Sequence, residues 1–325
     1  MQPAVGNRYS AMHFSRLDAL LLLMAVIWGT NYTVAKHAFA EIDAQSFNAA
    51  RMVVGSAMFL ALIVGVRRVA RRAPRSRVAS IFYTPAELTR RDWWWLAFLG
   101  VVGHTVYQYL FIGGLSRTTV ANSSLMLAAT PTLIAIVTAM LGQERIAPLH
   151  WTGIVLSLIG IYFVVGQGAQ MTGPHLVGDL MMFGAVACWA TYTVAARQVI
   201  TRHSPVAVTG LSMAIGTALY VAAVTSHVRA TAWTEVSASV WLAIVYSSVF
   251  SLCIAYTIWY AAVRELGSAR TAVYSNLVPL VAMVTAIAAL GEPVSAATVA
   301  GASAVLVGVA LTRARTQQLV IPAEE

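Results

Sequence analysis

The sequence predicts an all-α membrane protein whose ten transmembrane helices form two inverted five-helix repeats. Three observations support this prediction. Of the 325 residues, 59% are hydrophobic and only 10% are charged, whereas about 25% of the residues in an ordinary soluble domain are charged. Apolar runs of about 20 residues, long enough to cross a hydrocarbon core of about 30 Å, recur along most of the chain. Distinctive residues also recur at fixed offsets between the two halves.

Hydropathy predicts ten spans, numbered in chain order, and backbone hydrogen bonding in lipid requires each of them to be a helix. The spans cover residues 17–39, 44–66, 93–115, 119–141, 149–166, 177–199, 206–226, 239–262, 271–291 and 297–313. The longest connection, residues 67–92, is rich in arginine and is expected to lie on the membrane surface. The predicted organisation is a cytoplasmic segment 1–16, a first repeat 17–166, a second repeat 177–313 and a cytoplasmic tail 314–325.

The repeat is seen in residue types that rarely match by chance in so apolar a sequence. An offset of 161 relates the first spans of the two halves, and an offset of 148 relates their later spans. The matched pairs are Asp18 and Asp179, Trp28 and Trp189, Pro131 and Pro279, and Glu144 and Glu292. Because each repeat holds an odd number of spans, the two copies enter the membrane from opposite sides. Inverted repeats let a central site open to either face in turn.

The distribution of positive charge predicts the orientation. With the N-terminus placed inside, 17 of the 21 lysines and arginines lie on the inner side, three lie outside and Arg51 lies within span 2. This bias predicts that both termini are cytoplasmic. It also explains the net charge of +9 without a nucleic-acid partner, so the lipid bilayer is the expected surroundings of the chain.

Polar and aromatic side chains interrupt spans 1, 3, 4, 6, 8 and 9, and we expect them to line a substrate site. In span 1, Trp28, Asn31 and Tyr32 have the i, i+3, i+4 spacing of one helix face. Buried polar groups are costly in lipid, so they should face protein or a cavity. Hydrogen bonds that only join helices are the competing interpretation. The predicted substrate-binding residues are Trp28, Asn31, Tyr32, His104, Tyr107, Gln108, Asn122, Trp189, Tyr192, Tyr256, Tyr260 and Asn276.

Several of these positions have a second interpretation. His104 could be a neutral ring bonded to a neighbour, or a contact for substrate or a proton. Trp259 is expected in the aromatic belt at the membrane interface. Pro131 and Pro279 should bend their helices and are candidate gating residues, although such prolines can also serve packing alone. Glu292, at the end of span 9, is expected to be a structural cap.

Missing motifs narrow the function classes. No Asp or Glu falls in the middle of a predicted span, whereas ion-driven transporters commonly place a carboxylate there. The sequence has no Walker-type phosphate loop and no His-Glu-x-x-His pair. Its two cysteines, Cys188 and Cys253, are expected to be packing residues. These features predict a protein that is not an enzyme, holds no cofactor or metal, and moves its substrate without strict ion coupling.

The chain resembles the EamA-type branch of the drug/metabolite transporter superfamily over residues 17–313. The resemblance rests on the stretch from Trp28 to Tyr32 with its copy at Trp189, the run from Tyr107 to Leu115, and the repeated proline-to-glutamate spacing. It implies a central cavity lined by spans 1, 3, 4, 6, 8 and 9, with spans 5 and 10 at the periphery. Bacterial exporters of aromatic amino acids are similar proteins of this kind.

The expected function is export of small neutral or zwitterionic metabolites by alternating access, with amino acids, including aromatic and large apolar ones, as the leading substrates. The expected location is the bacterial inner membrane. Efflux of amphipathic drugs or nucleobase-like compounds would tolerate the same aromatic site and stays open. An intramembrane enzyme, or a sensor that transports nothing, is the alternative from a different class.

Overall fold

The computed structural model describes residues 15–70, 77–140, 174–292 and 296–313, together with positions 152, 155, 156 and 159. Across these residues the chain is helical and contains no β-strand. Most of predicted span 5, the residue Glu144 and the tail 314–325 lie outside the described residues.

The described helices match the predicted spans closely. Each predicted span except the fifth has a helical counterpart, and seven helices are long and apolar enough to cross a membrane. The elements are α1 (Arg16–Ala38), α2 (Ala44–Ala70), α3 (Arg77–Phe82), α4 (Arg90–Arg117), α5 (Val120–Leu127), α6 (Thr130–Met140), α7 (Pro174–Ile200), α8 (Pro205–Ala223), α9 (Thr225–Ala230), α10 (Ala238–Leu266), α11 (Ser268–Ala272), a 3₁₀ segment (Val273–Leu277), α12 (Val278–Leu290) and α13 (Ala296–Arg313).

Capping side chains set the start of two membrane helices. At α1, the Ser15 hydroxyl accepts from the Asp18 backbone N–H, and the Asp18 carboxylate accepts from the Ser15 backbone N–H at 2.7 Å. Thr89 and Asp92 form the same reciprocal pair at the start of α4. Such capping boxes satisfy amide groups that have no partner inside the helix. Asp18 therefore lies in the capped first turn of α1.

The two repeats are inverted, as the helix pair α2 and α8 shows. These helices are counterparts, and they pack against each other in opposite directions. Gln45, at the start of α2, accepts a hydrogen bond from the Tyr220 hydroxyl near the end of α8. Phe59, farther along α2, lies against Gly210 near the start of α8. Counterpart helices that run antiparallel belong to repeats of opposite orientation.

Contacts between equivalent residues locate the pseudo-two-fold axis. A side chain that contacts its own counterpart must lie on the axis that exchanges the two. Ser56 and Thr217, which are 161 residues apart, share a hydrogen bond of 2.7 Å. Gln108 and Tyr256, 148 residues apart, meet at 3.4 Å between Nε2 and the hydroxyl. These separations equal the two offsets of the sequence repeat, so the axis passes through the middle of the bundle.

A short π-helical segment occurs at the same position in each repeat. In α4 the Tyr107 N–H donates to the Val102 carbonyl, five residues back. In α10 the Ala255 N–H donates to the Phe250 carbonyl in the same way. π-Bulges inside α-helices are frequent at functional sites because they redirect the side chains that follow. Here they precede Gln108 and Tyr256 on the axis.

The outer surface of the bundle is apolar. Leu23, Val26, Leu242 and Val284 are exposed, and Leu242 has 70% of its surface uncovered. Large exposed apolar areas are rare on soluble monomers and mark contact with another apolar phase. Together with the helix lengths, this surface identifies a multi-pass membrane protein.

Ion pairs and hydrogen bonds join the helices at the end of the bundle that carries Asp92. The Arg202 guanidinium donates to the Asp92 carboxylate at 2.7 Å, and His203 lies 3.2 Å from the same carboxylate. Arg264 donates to the Ser80 carbonyl at 3.0 Å. Part of the arginine-rich connection therefore folds as the short helix α3, which hydropathy does not predict. This helix contacts α8 and α2 and is bonded to α10 through Arg264.

At the opposite end, side chains from both repeats cap helix termini. Lys36 Nζ donates to the carbonyls of Leu115 and Thr118 at 2.8 Å and 2.7 Å, where α4 ends. The Glu292 carboxylate accepts from the Val120 backbone N–H at 3.1 Å, where α5 begins. Each charge faces the helix end of opposite partial charge. Glu292 is thus a structural cap, as predicted, and it acts on the other repeat.

We expect Glu292→Gln to lower the thermal stability of the purified protein by roughly 0.5 to 2 kcal/mol, because a neutral amide is a weaker cap than a carboxylate. The measurement is the melting temperature in detergent, followed by tryptophan fluorescence. Glu265→Gln, at an exposed position, is the matched control and should melt like the wild type. Equal melting of Glu292→Gln and the wild type would show that this contact adds no stability.

A second glutamate at this end makes stability depend on pH. The Ser237 hydroxyl donates to the Glu41 carboxylate at 2.6 Å, and the Ser237 backbone N–H donates to it as well. These hydrogen bonds lower the pKa of Glu41 below its usual value, near 4.3. A lowered folded-state pKa gives stability that is present above the unfolded pKa and is lost as pH falls through the folded pKa.

The melting temperature of the wild type should therefore fall more between about pH 5 and pH 3 than that of Glu41→Gln. Fluorescence melts of both proteins across this pH range check the prediction. Parallel acid slopes in the two proteins would contradict it.

Candidate functional site

A cavity lies in the middle of the bundle, between the two repeats. It is narrow in this structure, with a volume of about 50 Å³. One wall is aromatic and comes from both repeats. It consists of Trp28, Tyr32, Tyr107, Phe111, Trp189 and Tyr256. The remaining walls carry aliphatic side chains, uncharged polar groups and a single arginine.

The aromatic wall is centred on a contact between equivalent tryptophans. The rings of Trp28 and Trp189 meet edge to face, with centroids 5.6 Å apart. Tyr256 lies 5.9 Å from Trp28 and 5.4 Å from Trp189. The indole N–H of Trp28 donates to the Ser251 carbonyl in the π-helical segment of α10 at 3.1 Å. The local backbone of α10 thus fixes the position of this ring.

Arg51 of α2 reaches the cavity, although the sequence analysis assigned it no role. Its side chain is 2% exposed. Nε donates to Asn48 Oδ1 at 2.5 Å, and Nη2 donates to Gln108 Oε1 at 2.6 Å. Nη1 has no hydrogen-bond partner among the described residues. The charge of Arg51 is the feature of the sequence that could have identified it, since an ionisable residue inside a membrane span marks a functional site by default.

Asn31 and Tyr32, beside Trp28 on α1, also line the cavity. Asn31 Oδ1 accepts a hydrogen bond from the Ser247 hydroxyl of α10 at 2.7 Å. The Tyr32 hydroxyl is buried and has no hydrogen-bond partner among the described residues. Asn31 therefore joins helices and lines the cavity at the same time.

Two broken helices border the cavity. Predicted span 4 is interrupted between α5 and α6, and predicted span 9 begins as α11 and the 3₁₀ segment before α12. Pro131 and Pro279 are each the second residue of the helix that follows the break. Irregular backbone at membrane depth is tolerated where it lines a cavity, and Ala128 and Ser275 do so here. A gating role for the prolines stays a prediction.

The structure brings seven of the twelve predicted substrate-binding residues into the cavity wall. They are Trp28, Asn31, Tyr32, Tyr107, Gln108, Trp189 and Tyr256. The cavity wall also contains residues outside the predicted set, including Arg51, Phe111, Ser124, Thr130, Ser251 and Ser275. Substrate binding by any of these residues stays a prediction.

Three predicted residues lie in a layer behind the wall. His104 is completely buried, and its Nε2 pairs with the Tyr192 hydroxyl at 2.9 Å. Tyr192 and Tyr260 are also buried, and both rings contact Trp189. The π-helical segment turns His104 toward α7 and away from the cavity. In this structure His104 is a ring bonded to a neighbour, and the layer supports Trp189 from behind.

The other two predicted asparagines, Asn122 and Asn276, also lie outside the wall. Asn122 is half-buried in the first turn of α5, at the edge of the membrane, where Thr119 caps its backbone N–H at 3.1 Å. Asn276 lies in the 3₁₀ segment, whose Ser275 lines the cavity in its place. Asn122 thus lies at a helix start, whereas Ser124 of the same helix lines the cavity.

The expectation that Trp259 lies in an interfacial belt is wrong. Its side chain is completely buried, and its ring lies 5.3 Å from Trp28 and 5.8 Å from Trp189. The amphipathic pattern of α10 points this ring inward. Trp259 therefore belongs to the aromatic core that supports the cavity.

Comparison with known proteins agrees with this architecture. The model of the EamA-like transporter family matches residues 16–166 and again residues 176–314. The chain is also similar in fold to a solved crystal structure, with a TM-score of 0.64, 20% sequence identity, and coverage of 94% of this chain and 100% of the other.

The most similar curated proteins include several transporters. The uncharacterized transporter YyaM of Bacillus subtilis (strain 168) is 26% identical over 89% of this chain and 91% of its own length. An uncharacterized transporter of Archaeoglobus fulgidus is 25% identical over 94% and 99%. A protein of Streptantibioticus cattleyicolor named "Probable terminal-alkyne amino-acid exporter" is 24% identical over 94% and 96%. The family match covers both repeats, and the chain belongs to the EamA-like transporter family.

Proposed function

We propose that this protein exports small metabolites with an apolar or aromatic body, with amino acids as the leading substrates, across the bacterial inner membrane. The observation that carries the proposal is the central cavity, whose aromatic wall is shared by Trp28 and Trp189 from opposite repeats. Flat rings give a large contact area to an apolar substrate, and a few polar groups orient it. The exporter name of one relative supports the amino-acid assignment.

Alternating access follows from the inverted repeats. Because the axis passes between equivalent residues of the wall, exchanging the conformations of the two repeats would turn the cavity from one face of the membrane to the other. Both termini lie in the cytoplasm in this proposal, as the positive-inside bias requires.

Movement of the substrate requires no strict ion coupling in this proposal. The residues that line the cavity include no Asp or Glu within the described part of the chain. His104 is enclosed behind the wall and bonded to Tyr192. The described cavity lining and His104 thus offer no proton or sodium site in contact with a bound substrate. The substrate gradient supplies the driving force in this proposal.

The test is counterflow of labelled amino acids in proteoliposomes that contain the purified protein. We expect phenylalanine and leucine loaded inside to accelerate uptake of the labelled compound, with or without a pH gradient. Failure of every amino acid to support counterflow would overturn the substrate assignment. Strict dependence on the pH gradient would overturn the uncoupled mechanism. Preferential competition by amphipathic drugs or nucleobases would favour those substrates instead.

A further inference from the structure

Arg51 is a buried cation without a neutralising anion. Arginine stays protonated in proteins, so a full positive charge lies in the middle of the membrane. Its two hydrogen-bonded partners, Asn48 and Gln108, are neutral amides. The described residues place no carboxylate within ion-pair distance of its guanidinium. The tyrosines that face it, Tyr107, Tyr220 and Tyr256, are neutral at physiological pH.

Other cations of this protein, the exposed Arg202 and the half-buried Lys36, are satisfied differently. Arg202 pairs with the Asp92 carboxylate at 2.7 Å. Lys36 Nζ donates to three backbone carbonyls, including those of Leu115 and Thr118, where a helix ends. Arg51 instead leaves Nη1 without a partner while its side chain lines the cavity. An uncompensated buried charge is strongly destabilising, which argues that a transported ligand completes this site.

We infer that Arg51 is the anion-binding residue of the cavity and that the preferred substrates carry a carboxylate and a net negative charge. The inference rests on the proposed transport function and places organic monocarboxylates ahead of zwitterionic amino acids among its substrates. Two guanidinium nitrogens can bind the two oxygens of one carboxylate side by side. The Gln108 amide, already held against Arg51, lines the same side of the cavity.

The cavity offers little to a positive group. Its described lining has one cation and no anion, so an ammonium group would be repelled by Arg51 and would meet only neutral acceptors. In a zwitterionic amino acid, repulsion of the ammonium group thus offsets part of the binding free energy that the carboxylate contributes. An organic acid with an aromatic or aliphatic body has the carboxylate without this cost.

The site holds one anionic group. The repeat counterpart of Arg51, by the offset of 161 that relates α2 to α8, is Ser212. Ser212 is buried and bonded to the Thr209 carbonyl at 3.1 Å, so the second repeat adds no charge. A single cation placed off the axis matches a monocarboxylate better than a dicarboxylate or a phosphate ester with two charges.

The test uses three ligands that share a phenyl body. They are 3-phenylpropionate, L-phenylalanine and phenethylamine, titrated into purified protein by isothermal calorimetry. We expect 3-phenylpropionate to bind wild-type protein at least tenfold more tightly than phenethylamine, with phenylalanine between them. Arg51→Gln should weaken binding of the acid by about 10- to 100-fold, the range for loss of charged hydrogen bonds, and should not weaken binding of the amine.

Two further variants keep the result interpretable. Arg229→Gln removes an exposed arginine outside the cavity and should bind all three ligands like the wild type. Arg51→Lys keeps the charge but loses the planar fork, so it should recover part of the acid affinity. If Arg51→Gln fails to fold, the ligand affinities of the wild type and of Arg51→Lys still test the inference.

The inference is overturned if wild-type protein binds no carboxylate, if it prefers the amine, or if Arg51→Gln binds the acid as tightly as the wild type. Absence of amino-acid counterflow with intact binding of 3-phenylpropionate would reject the amino-acid assignment alone. Amino-acid counterflow that survives in Arg51→Gln would reject the anion site alone.

Discussion

We expect replacement of Trp189 by alanine to lower amino-acid counterflow at least tenfold per folded molecule. Trp189 is 4% exposed, and its ring packs against Trp28, Tyr107 and Tyr256 with centroids 5.6, 5.1 and 5.4 Å apart. Removing it opens the wall that both repeats share, so a bound substrate loses its apolar contact in either orientation of the transporter.

The same change also costs stability, because truncating a buried tryptophan typically removes about 3 to 5 kcal/mol. Counterflow must therefore be normalised to monodisperse protein recovered after size-exclusion chromatography. Trp189→Phe keeps an aromatic surface and should give intermediate counterflow. Trp94→Ala, at a residue with 69% of its surface exposed, is the matched control and should transport like the wild type. Full counterflow by folded Trp189→Ala would remove this residue from the site.

Gly216→Ala should destabilise the protein by about 1 to 3 kcal/mol, the usual cost of overpacking a filled interior. A Cβ atom at Gly216 would lie 2.4 Å from the Gly100 carbonyl oxygen and 2.4 Å from His104 Cβ. Two helices, α4 and α8, cross there at the distance of backbone contact. The Thr105 hydroxyl also donates to the Gly216 carbonyl at 3.0 Å, which ties the crossing together.

Thermal melting followed by tryptophan fluorescence measures this effect. Gly65→Ala is the matched control, since a Cβ at that helical glycine would have no neighbour within 4 Å. We expect Gly65→Ala to melt at or slightly above the wild-type temperature and Gly216→Ala to melt several degrees below it. Equal melting temperatures of the two variants would show that α4 and α8 can move apart at their crossing without loss of stability.

The helices could be predicted from sequence because a backbone in lipid must satisfy its hydrogen bonds internally, which a helix does within one segment. Every described span was found within a few residues of its bounds, and the offsets of 161 and 148 recur as contacts of Ser56 with Thr217 and of Gln108 with Tyr256. The π-helical segments could not be predicted, since they depend on how α4 and α10 pack and leave no mark in hydropathy. The short helix α3 escaped detection because its six residues are too few for a span.

The site was predicted in part, for a related reason. Helix-face spacing identified Trp28, Asn31 and Tyr32, whose face is set by one straight helix. His104 had two interpretations, a contact for substrate or a proton and a ring bonded to a neighbour, and in the structure it is bonded to Tyr192 behind the cavity wall. Arg51 was counted only as a charge for topology, and the family resemblance assigned no cavity residues to span 2. Its neighbours Asn48 and Gln108 come from two helices, so their convergence appears only in three dimensions.

The central claim is that substrate binds in the cavity on the pseudo-two-fold axis, between the two repeats. The most direct measurement is an experimental structure of the protein with a compound that supports counterflow. We predict ligand density against Trp28 and Trp189, with its polar end at Arg51 and Gln108. Density at another site, with the central cavity closed by its own side chains, would contradict the claim.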